Sequence, residues 1–494
     1  MAGYNFLSTL IYNFKFAPKY FLNLFFDCVS NTLLKTTIKN YHMTNSRRDF
    51  IKNSAIAGVA TYVGTLGMSA KSYARIIGSN ERVNVGVLGF SDRFKDALLP
   101  SFLDAYKKTN FDIIGVSDIW KKRREEGQTI LKQKLNHEII PYRNNDELLM
   151  NKDIDAVFIA TSDFQHATHT IEAVKAGRDS YTEKPLAETM EDAKAVLKAV
   201  RDSGKIVQIG SQRRSGETYK AANDFIRAGK FGPIVMVELT WNVNQPGRWR
   251  RPELVAQLKE EDTDWKRYLI NRPYEPFNAR KHLEYRLFWP YSSGIPGQWM
   301  CHQIDTVHWF TGLPHPRSVS VNGGIYVWKD GRQNADTMTA VFDYGPLDDM
   351  SSGFQVVFTS RQTNAAGDVK EIYYSNGGTL NLDTNKITPE GGLTERHASA
   401  MGLKANLLPQ ISLNQLVEKV STEASTGGDT LTKAHVRNWM DCVRDRKPPN
   451  ASIEAGYNHS IAVIMTNAAF RTGQKVTFNE KTQDVMAGDK IFKY

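Results

Sequence analysis

The chain is poor in cysteine and contains no long apolar run. Only 3 of its 494 residues are Cys, which excludes a small disulfide-stapled fold. No apolar stretch reaches the roughly 18 residues that a membrane-spanning helix needs, and mean hydropathy is −0.43. With 23% charged and 41% hydrophobic residues, the chain has the composition of a globular protein of two or three domains.

The net charge of +10 is concentrated near the beginning of the chain. Residues 1–74 hold 8 Lys and Arg against 2 Asp and Glu, which leaves +4 for the rest of the chain. Because the remaining balance is close to neutral, nucleic acid is not an expected partner.

The segment around residue 47 is typical of a twin-arginine export signal. Arg47, Arg48 and Phe50 precede an uncharged, mildly apolar stretch over 53–70, with cleavage expected after Ala70 or Ala74. The alternative interpretation is that this basic segment is the beginning of an ordinary helix. We expect Met43 to be the true start, so that 1–42 is an extension and 43–74 is the signal. The twin-arginine machinery is then a partner, and the protein is periplasmic or exported across the cytoplasmic membrane.

The segment 75–209 predicts a dinucleotide-binding domain, because strands and helices alternate along it. Such alternation is typical of a parallel, doubly wound sheet in the α/β class. The predicted strands cover 83–88, 111–117, 155–160, 179–182 and 205–209. The helices between them are predicted over 91–108, 120–134, 162–176 and 190–203.

The segment 210–494 predicts an α+β domain. Longer strands are expected over 234–243 and 337–344, and two helices over 431–446 and 457–472. The stretch 345–430 has little apolar period, so we interpret it as surface insertions.

The turn after the first strand departs from the usual glycine trio of a dinucleotide site. Gly89 keeps the first glycine, whereas Ser91 and Phe94 replace the other two. We expect Gly89, Ser91 and Asp92 to face the phosphates. Asp118 ends the second strand, where a carboxylate accepts the ribose hydroxyls and favours NAD over NADP. A helix cap is the alternative role for Asp118.

Several motifs resemble those of the glucose-fructose oxidoreductase, inositol dehydrogenase and rhizopine-catabolism (Gfo/Idh/MocA) family. The resemblance covers about 75–490 and rests on the following: Ala160-Thr161 with His166, Ala176-Gly177, Glu183-Lys184-Pro185, Val207 to Arg213, and Met300 to Asp305 with Trp309. It implies a Rossmann domain followed by an α+β domain with an open, mostly antiparallel sheet. It also implies NAD(P), a sugar or polyol substrate, and a homo-oligomer formed through the second sheet.

The resemblance also implies roles for individual residues. Lys184 matches the catalytic lysine, whose ammonium hydrogen-bonds the substrate hydroxyl, and Glu183 supports the nicotinamide ribose. Thr161 and His166 match the loop that faces the cofactor, although His166 is a bystander in the alternative interpretation. Gln212 is assigned to the cofactor side and Arg213 to the substrate side.

The helix that enters the active site departs from the family pattern. Gln298 stands where the family has Asp, while His302 matches the family His and is the candidate general base. Asp305 either replaces the missing carboxylate in part or forms an internal ion pair. His302, Asp305 and His308 do not share a helical face, so no metal is expected. Trp241, Asn242 and Tyr291 are candidate sugar contacts, with core packing as the alternative for each Trp.

The sequence thus predicts an exported NAD-dependent enzyme of the oxidoreductase fold, acting on a sugar, polyol or glycoside. Since the periplasm offers no free NAD, we expect a tightly held cofactor that is recycled in place. Two outcomes stay open, namely paired oxidation and reduction of two sugars, or glycoside cleavage by transient oxidation and elimination. A non-catalytic sugar-binding protein on a decayed fold is the rival, and Ser91, Phe94 and Gln298 are its evidence.

Overall fold

A computed structural model describes residues 82–346, 348–415 and 429–493. The predicted extension over 1–42, the twin-arginine segment over 43–74 and the first residues of the predicted Rossmann domain lie outside these ranges. In the part of the chain that is described, no helix is long and apolar enough to cross a membrane. Cys301 and Cys442 are both buried and free.

Within the described residues, six parallel strands form the first sheet, in the order β3-β2-β1-β4-β5-β6. They are β1 Val83–Leu88, β2 Phe111–Ser117, β3 Ile140–Tyr142, β4 Ala156–Ile159, β5 Asp179–Thr182 and β6 Val207–Ile209. The order reverses between β1 and β4, as in dinucleotide-binding folds. This confirms the predicted doubly wound sheet. Strand β3 was not predicted, because its three residues show no alternation.

The crossover helices lie on both faces of this sheet. They are α1 Leu99–Thr109, α2 Lys121–Leu135, α3 Asn145–Met150, α4 His166–Lys175 and α5 Met190–Ser203. A π-helical turn over Phe94–Leu98 precedes α1. This wider turn lets the buried Phe94 ring pack between Phe90 and Phe158, at centroid distances of 5.7 and 5.6 Å. Phe94 thus points into the core and supports the first helix.

The second sheet is open and mostly antiparallel, as the family resemblance implies. Its order is β14-β13-β12-β11-β7-β10-β9-β8-β15-β16-β17, and the neighbours β7 and β10 run parallel. Its strands are β7 Ile234–Asn242, β8 Ser318–Gly324, β9 Thr337–Tyr344, β10 Phe354–Arg361, β11 Val369–Ser375, β12 Gly378–Asn381, β13 Lys386–Thr388, β14 Ile411–Ser412, β15 Val476–Asn479, β16 Asp484–Ala487 and β17 Lys490–Ile491.

The interpretation of 345–430 as surface insertions is wrong for its described part. Strands β10 and β11 flank β7 near the middle of the sheet, and Val356, Phe358 and Tyr373 are buried there. The alternation in β10 is a strand pattern. The polar residues of the outer face and the glycines between strands obscured it.

Further helices surround this sheet and connect it to the first. They are α6 Glu217–Arg227, α7 Pro252–Val255, α8 Trp265–Leu269, α9 Ala279–Leu283, α10 Cys301–Thr311, α11 Glu395–Ala400, α12 Thr430–Asp445 and α13 Ile453–Thr472. A π-helical turn over Pro296–Met300 leads into α10. Helix α13 packs against α10, β8 and α5. The boundary at residue 209 separates the two sheets, but α12 returns to the first, where Trp439 contacts Phe158 at 4.7 Å.

Candidate active site

A cavity of about 1010 Å³ lies at the carboxyl ends of the strands of the first sheet. The turn after β1 and the end of β2 form one wall, and the segments after β4 and β5 form another. Residues of the second domain complete it, with the loop around Arg248 on one side and the start of α10 on the other. Ten of the predicted site residues line it: Gly89, Ser91, Asp92, Asp118, Thr161, His166, Glu183, Lys184, Gln298 and His302.

The turn after β1 keeps the one glycine that its geometry demands. Gly89 has a φ of +84°, and a Cβ at this position would stand 2.7 Å from the Thr161 side chain. Ser91 Oγ accepts from the Phe94 amide at 3.3 Å. The Ser hydroxyl therefore stabilises the start of the first helix, whose N-terminal end faces the cavity.

Asp118 is held by two backbone amides. Its Oδ2 accepts from Phe90 N at 3.0 Å and its Oδ1 from Trp120 N at 2.9 Å. Each carboxylate oxygen keeps a free lone pair on the cavity side. Burial raises the pKa of Asp118. Asp118 contacts the amide of the residue that precedes α2, so it orders this turn without capping the helix itself.

The segment after β4 is fixed by histidines. His166 Nδ1 lies 2.7 Å from the Pro185 carbonyl and its Nε2 lies 3.1 Å from the Thr161 carbonyl. Burial lowers the pKa of His166, and a neutral ring donates to only one of these carbonyls at a time. His169 Nδ1 hydrogen-bonds Thr161 Oγ1 at 2.9 Å. His166 therefore ties Thr161 to the peptide that follows Lys184.

Glu183 belongs to a chain of polar contacts beneath the cavity. Its Oε1 accepts from Arg93 Nε at 2.9 Å. With the amide of Gln212 oriented to suit its neighbours, its oxygen accepts from Arg93 and its nitrogen donates to the Gly210 carbonyl at 2.8 Å. Gln212 thus orients Arg93 and Glu183 and lies outside the cavity lining.

Lys184 reaches across the domain boundary. Its Nζ donates to the main-chain carbonyl of Gln298 at 2.9 Å, and the peptide to Pro185 is cis. Burial lowers the pKa of Lys184, while Cys301, Asp163 and Glu183 oppose this change. The ammonium faces the cavity beside His302.

Gln298 joins a carboxylate to a guanidinium. Its Nε2 donates to Asp163 Oδ2 at 2.5 Å and its Oε1 accepts from Arg286 Nε at 2.8 Å. Asp163 also accepts from Ser292 Oγ at 2.5 Å. The carboxylate that is missing at position 298 is therefore present in the same network, supplied by the segment after β4.

His302 stands at the end of a stack of aromatic rings. Its imidazole lies 5.8 Å from the Trp241 ring, which stacks in parallel on Trp299 at 6.2 Å. Burial, together with the positive charges of Lys184 and Arg213, lowers the pKa of His302 well below its usual value. His302 is thus a neutral imidazole on the cavity wall, and its unprotonated nitrogen can accept a hydrogen bond from a bound hydroxyl.

Two of the predicted charged residues lie outside the cavity, which corrects their assignment. Asp305 pairs with Arg214 through two hydrogen bonds of 2.7 and 3.0 Å. Although burial alone would raise it, Arg214 holds the pKa of Asp305 below its usual value. Although Asp305 lies one turn beyond His302 on α10, its carboxylate is buried in this pair with Arg214 and does not line the cavity, which agrees with the internal ion pair considered for it. Arg213 pairs with Glu371 and lies over the Trp241 ring at 5.7 Å.

The predicted sugar contacts are likewise supporting residues. Trp241 backs His302, and Asn242 Nδ2 donates to the Ala366 carbonyl at 3.1 Å. The Tyr291 hydroxyl donates to Glu275. None of these three lines the cavity as its walls are described.

Sequence reasoning missed several residues of the cavity wall. They are Asp163, Arg248, Arg251, Tyr268, Tyr285 and Arg286. The run Arg248-Trp249-Arg250-Arg251, basic and aromatic, was the signal for the loop after β7. Asp163 lies just after β4, between the predicted residues Thr161 and His166, and this position was its signal. The cap of the following helical turn is Ser162, which forms a capping box with Gln165.

Among the residues that the structure describes, no group of three His, Cys, Asp or Glu side chains is arranged to hold a metal ion. His308 Nε2 is engaged by the Tyr344 hydroxyl at 2.8 Å.

Residues 83–211 match the sequence profile of an oxidoreductase family with an NAD-binding Rossmann fold, GFO_IDH_MocA. A 1,5-anhydro-D-fructose reductase from Ensifer adhaerens is 30% identical over 135 residues, which are 26% of this chain and 40% of the reductase. The match to such relatives thus spans about two-fifths of their length. The scyllo-inositol 2-dehydrogenase (NAD(+)) of Bacillus subtilis is 25% identical over 68% of this chain and 81% of its own length.

Solved structures share the fold of both domains. Levoglucosan dehydrogenase in complex with NADH and levoglucosan has a TM-score of 0.58 at 14% identity, covering 80% of this chain and 99% of that one. An oxidoreductase domain protein from Kribbella flavida has a TM-score of 0.60 at 16% identity, covering 81% and 100%. The architecture shared with these structures is a Rossmann-type domain followed by a domain with an open, mostly antiparallel sheet. Its N-terminal domain matches the NAD-binding profile of the Gfo/Idh/MocA family, and proteins named as inositol dehydrogenases are among its relatives.

Proposed function

We propose that this protein is an NAD-dependent oxidoreductase-fold enzyme that acts on a sugar, polyol or glycoside. The observation that carries the proposal is the convergence of Lys184 and His302 on a cavity that also contains Gly89 and Asp118. Relatives named as inositol dehydrogenases and an anhydrofructose reductase support the substrate class. The rival interpretation of a decayed fold rests in part on Ser91 and Phe94, and both have structural roles: Ser91 Oγ accepts from the Phe94 amide, and the Phe94 ring packs between Phe90 and Phe158.

The residues around the cavity fit NAD. Gly89 lets the backbone approach the pyrophosphate, Asp118 has lone pairs for the ribose hydroxyls, and Glu183 is placed beside Lys184. When bound, NAD supplies an acceptor for the hydride of a substrate C–H bond. Asp118 would repel a 2′-phosphate, and Arg123 is already paired with Asp92 at 2.7 Å and Glu126 at 2.9 Å. NAD is therefore proposed over NADP.

Two side chains would assist the substrate hydroxyl. The Lys184 ammonium donates a hydrogen bond to the oxygen as it gains alkoxide character, help worth roughly 3 to 4 kcal/mol for a well-placed donor. The neutral His302 imidazole accepts the hydroxyl proton. Lys184 is held by the Gln298 carbonyl and His302 by the Trp241 ring, so both are oriented before the substrate arrives.

The cofactor test is to purify the protein without added nucleotide, denature it and identify NAD(H) and NADP(H) in the supernatant by mass spectrometry. We expect NAD in a ratio near one per chain. If nothing is released and added NAD leaves the melting temperature unchanged, the enzyme proposal fails and the sugar-binding alternative takes its place.

We further propose that the protein is exported by the twin-arginine route with its NAD bound and recycled in place. The motif at Arg47 and Arg48 supports this. Changing both to Lys should retain the protein in the cytoplasm of the native host, and cell fractionation would detect it. Product analysis after incubation with sugar pairs and glycosides then separates paired redox from glycoside cleavage.

A homo-oligomer through the second sheet is also proposed. Strand β9 alternates buried residues with Thr339 and Val341, which are exposed on the other face, and Val341 pairs with Val357 of β10. A Val341→Asp variant should lower the molar mass measured by light scattering. An unchanged mass would exclude this face as the interface.

A further inference from the structure

Three cationic side chains meet at the His302 end of the cavity: Lys184, Arg248 and Arg286. Asp163 is the carboxylate whose charge acts on both Lys184 and Arg286. The neighbouring Glu183 is engaged by Arg93 at 2.9 Å. This end of the cavity therefore carries positive charge that its own carboxylates do not balance.

Arg248 is the clearest case. Within the described residues, no carboxylate oxygen lies within 4.0 Å, the limit for an ion pair, of a guanidinium nitrogen of Arg248 or Arg286. Arg248 Nη1 donates to the neutral Gln245 Oε1 at 2.6 Å, and its guanidinium lies over the Trp299 ring at 5.6 Å. Burial and the charges of Arg286 and Arg251 lower the pKa of Arg248.

The neighbouring arginines of the same loop differ, because both are paired. Arg250 Nε contacts Glu284 at 3.0 Å and Arg251 Nε contacts Asp92 at 3.3 Å. Trp249, between Arg248 and Arg250, adopts a φ of +65°, which is unusual for a bulky residue. This turn packs the Trp249 ring against Trp299 at 5.2 Å and leaves the Arg248 guanidinium on the cavity wall.

We propose, on the basis of the function proposed above, that the substrate is an acidic sugar whose carboxylate or sulfate is held by Arg248 and Arg286. A guanidinium presents two N–H groups in the geometry of such an anion, and a charge removed from water is retained where a counter-charge arrives. Trp299, between Arg248 and the Trp241 ring, supports the Arg248 guanidinium at the cavity wall.

The pyrophosphate of NAD is the other anion to consider. Its place is the helix start at Gly89 and Ser91, where Arg251 is paired with Asp92. Arg248 instead borders the stack that ends at His302, and Arg286 contacts Gln298. The two guanidiniums are therefore assigned to the substrate.

The test is calorimetric titration of the full, NAD-loaded chain at fixed ionic strength. The acidic probes are D-glucuronate, D-galacturonate and D-glucose 6-sulfate, and the neutral partners are D-glucose and D-galactose. We expect at least one acidic sugar to bind about tenfold or more tightly than its neutral partner. Comparing the affinity of the uronates with that of the sulfate ester shows whether a carboxylate or a sulfate is the preferred anion.

An Arg248→Gln variant should reduce this preference about tenfold or more while leaving NAD affinity unchanged. Arg396→Gln, which removes a charge from the exposed helix α11, is the matched control and should change neither. The proposal is overturned if neutral sugars bind as tightly, if no acidic probe binds, or if Arg248→Gln weakens NAD binding instead. NAD binding and turnover of a neutral sugar would leave the proposed function intact while rejecting this inference.

Discussion

Lys184 Nζ lies 2.9 Å from the carbonyl oxygen of Gln298, a contact between the first domain and the turn that precedes α10. The carbonyl is available there because the π-helical turn over Pro296–Met300 widens the start of the helix. The same turn presents the Gln298 side chain to Asp163 and Arg286. This short segment thus orients Lys184, the proposed hydrogen-bond donor to the substrate. It also carries Gln298, the residue that departs from the family pattern.

Replacing Lys184 by Met should reduce kcat about 10² to 10³ fold, because a donor to the developing alkoxide is lost. NAD content should be retained, since the other cavity contacts remain. Steady-state rates on an identified substrate, with nucleotide analysis of the same sample, provide the measurement. Lys198→Met is the control, because Lys198 is exposed on α5 and pairs with Asp202. Equal rates for Lys184→Met and the control would reject the assigned role.

The pH dependence of kcat/KM should follow the protonation state of Lys184. Burial lowers the pKa of Lys184, so the ammonium is lost, and the rate falls, at a lower pH than for a free lysine. Arg does not titrate in this range. Lys184→Arg should therefore be slower but should lack this alkaline decline. A rate that rises as Lys184 deprotonates would instead identify the neutral amine as the base.

Substituting Gln298→Glu would bring two carboxylates together at the 2.5 Å contact with Asp163. One of the pair would then have a pKa raised above its unfolded value, so the variant should lose stability as pH rises through that pKa. We expect a loss of about 1 to 3 kcal/mol near neutral pH. Denaturant unfolding at acid and neutral pH measures it.

The matched rescue is Asp163→Asn in the Gln298→Glu background, which exchanges the carboxylate and the amide between the two positions. The double variant should recover most of the lost stability, and a double-mutant cycle quantifies the coupling. Additive effects of the two changes would show that the 2.5 Å contact contributes nothing.

Glu188 should make stability depend on pH. Burial raises its pKa to about 8, and its Oε1 accepts from Ser293 N at 3.1 Å. The folded state therefore holds a proton that the unfolded state releases near pH 4.5, so this contribution is complete below about pH 4.5 and lost as pH rises towards about 8. Glu188→Gln should remove this pH dependence of the free energy of unfolding, which amounts to at least about 1 kcal/mol.

The measurement is the free energy of unfolding at about pH 5 and about pH 8 for both proteins. Glu191→Gln, on the exposed surface of α5, is the control and should keep the slope. A slope that survives Glu188→Gln would assign the effect to another group.

The parallel, doubly wound arrangement of the first sheet followed from the sequence, because strand-like and helical segments alternate along 75–209. Such patterns are local, and parallel strands with crossover helices admit few arrangements. Gly89 and Asp118 were found for the same reason, because each follows a predicted strand. Glu183, Lys184, Gln298 and His302 were instead assigned through the resemblance of their motifs to those of a known family.

Tertiary structure alone decided which side chains enter the cavity. Asp305 and His302 stand three residues apart on α10, yet the Arg214 guanidinium draws Asp305 into a buried ion pair. Asp163 faces Gln298 across 135 positions of sequence, and Arg248 reaches the site through the left-handed turn at Trp249. Contacts between distant segments depend on where folding brings their backbones together. Local sequence patterns therefore predicted the elements that build the site but not the polar network that joins them.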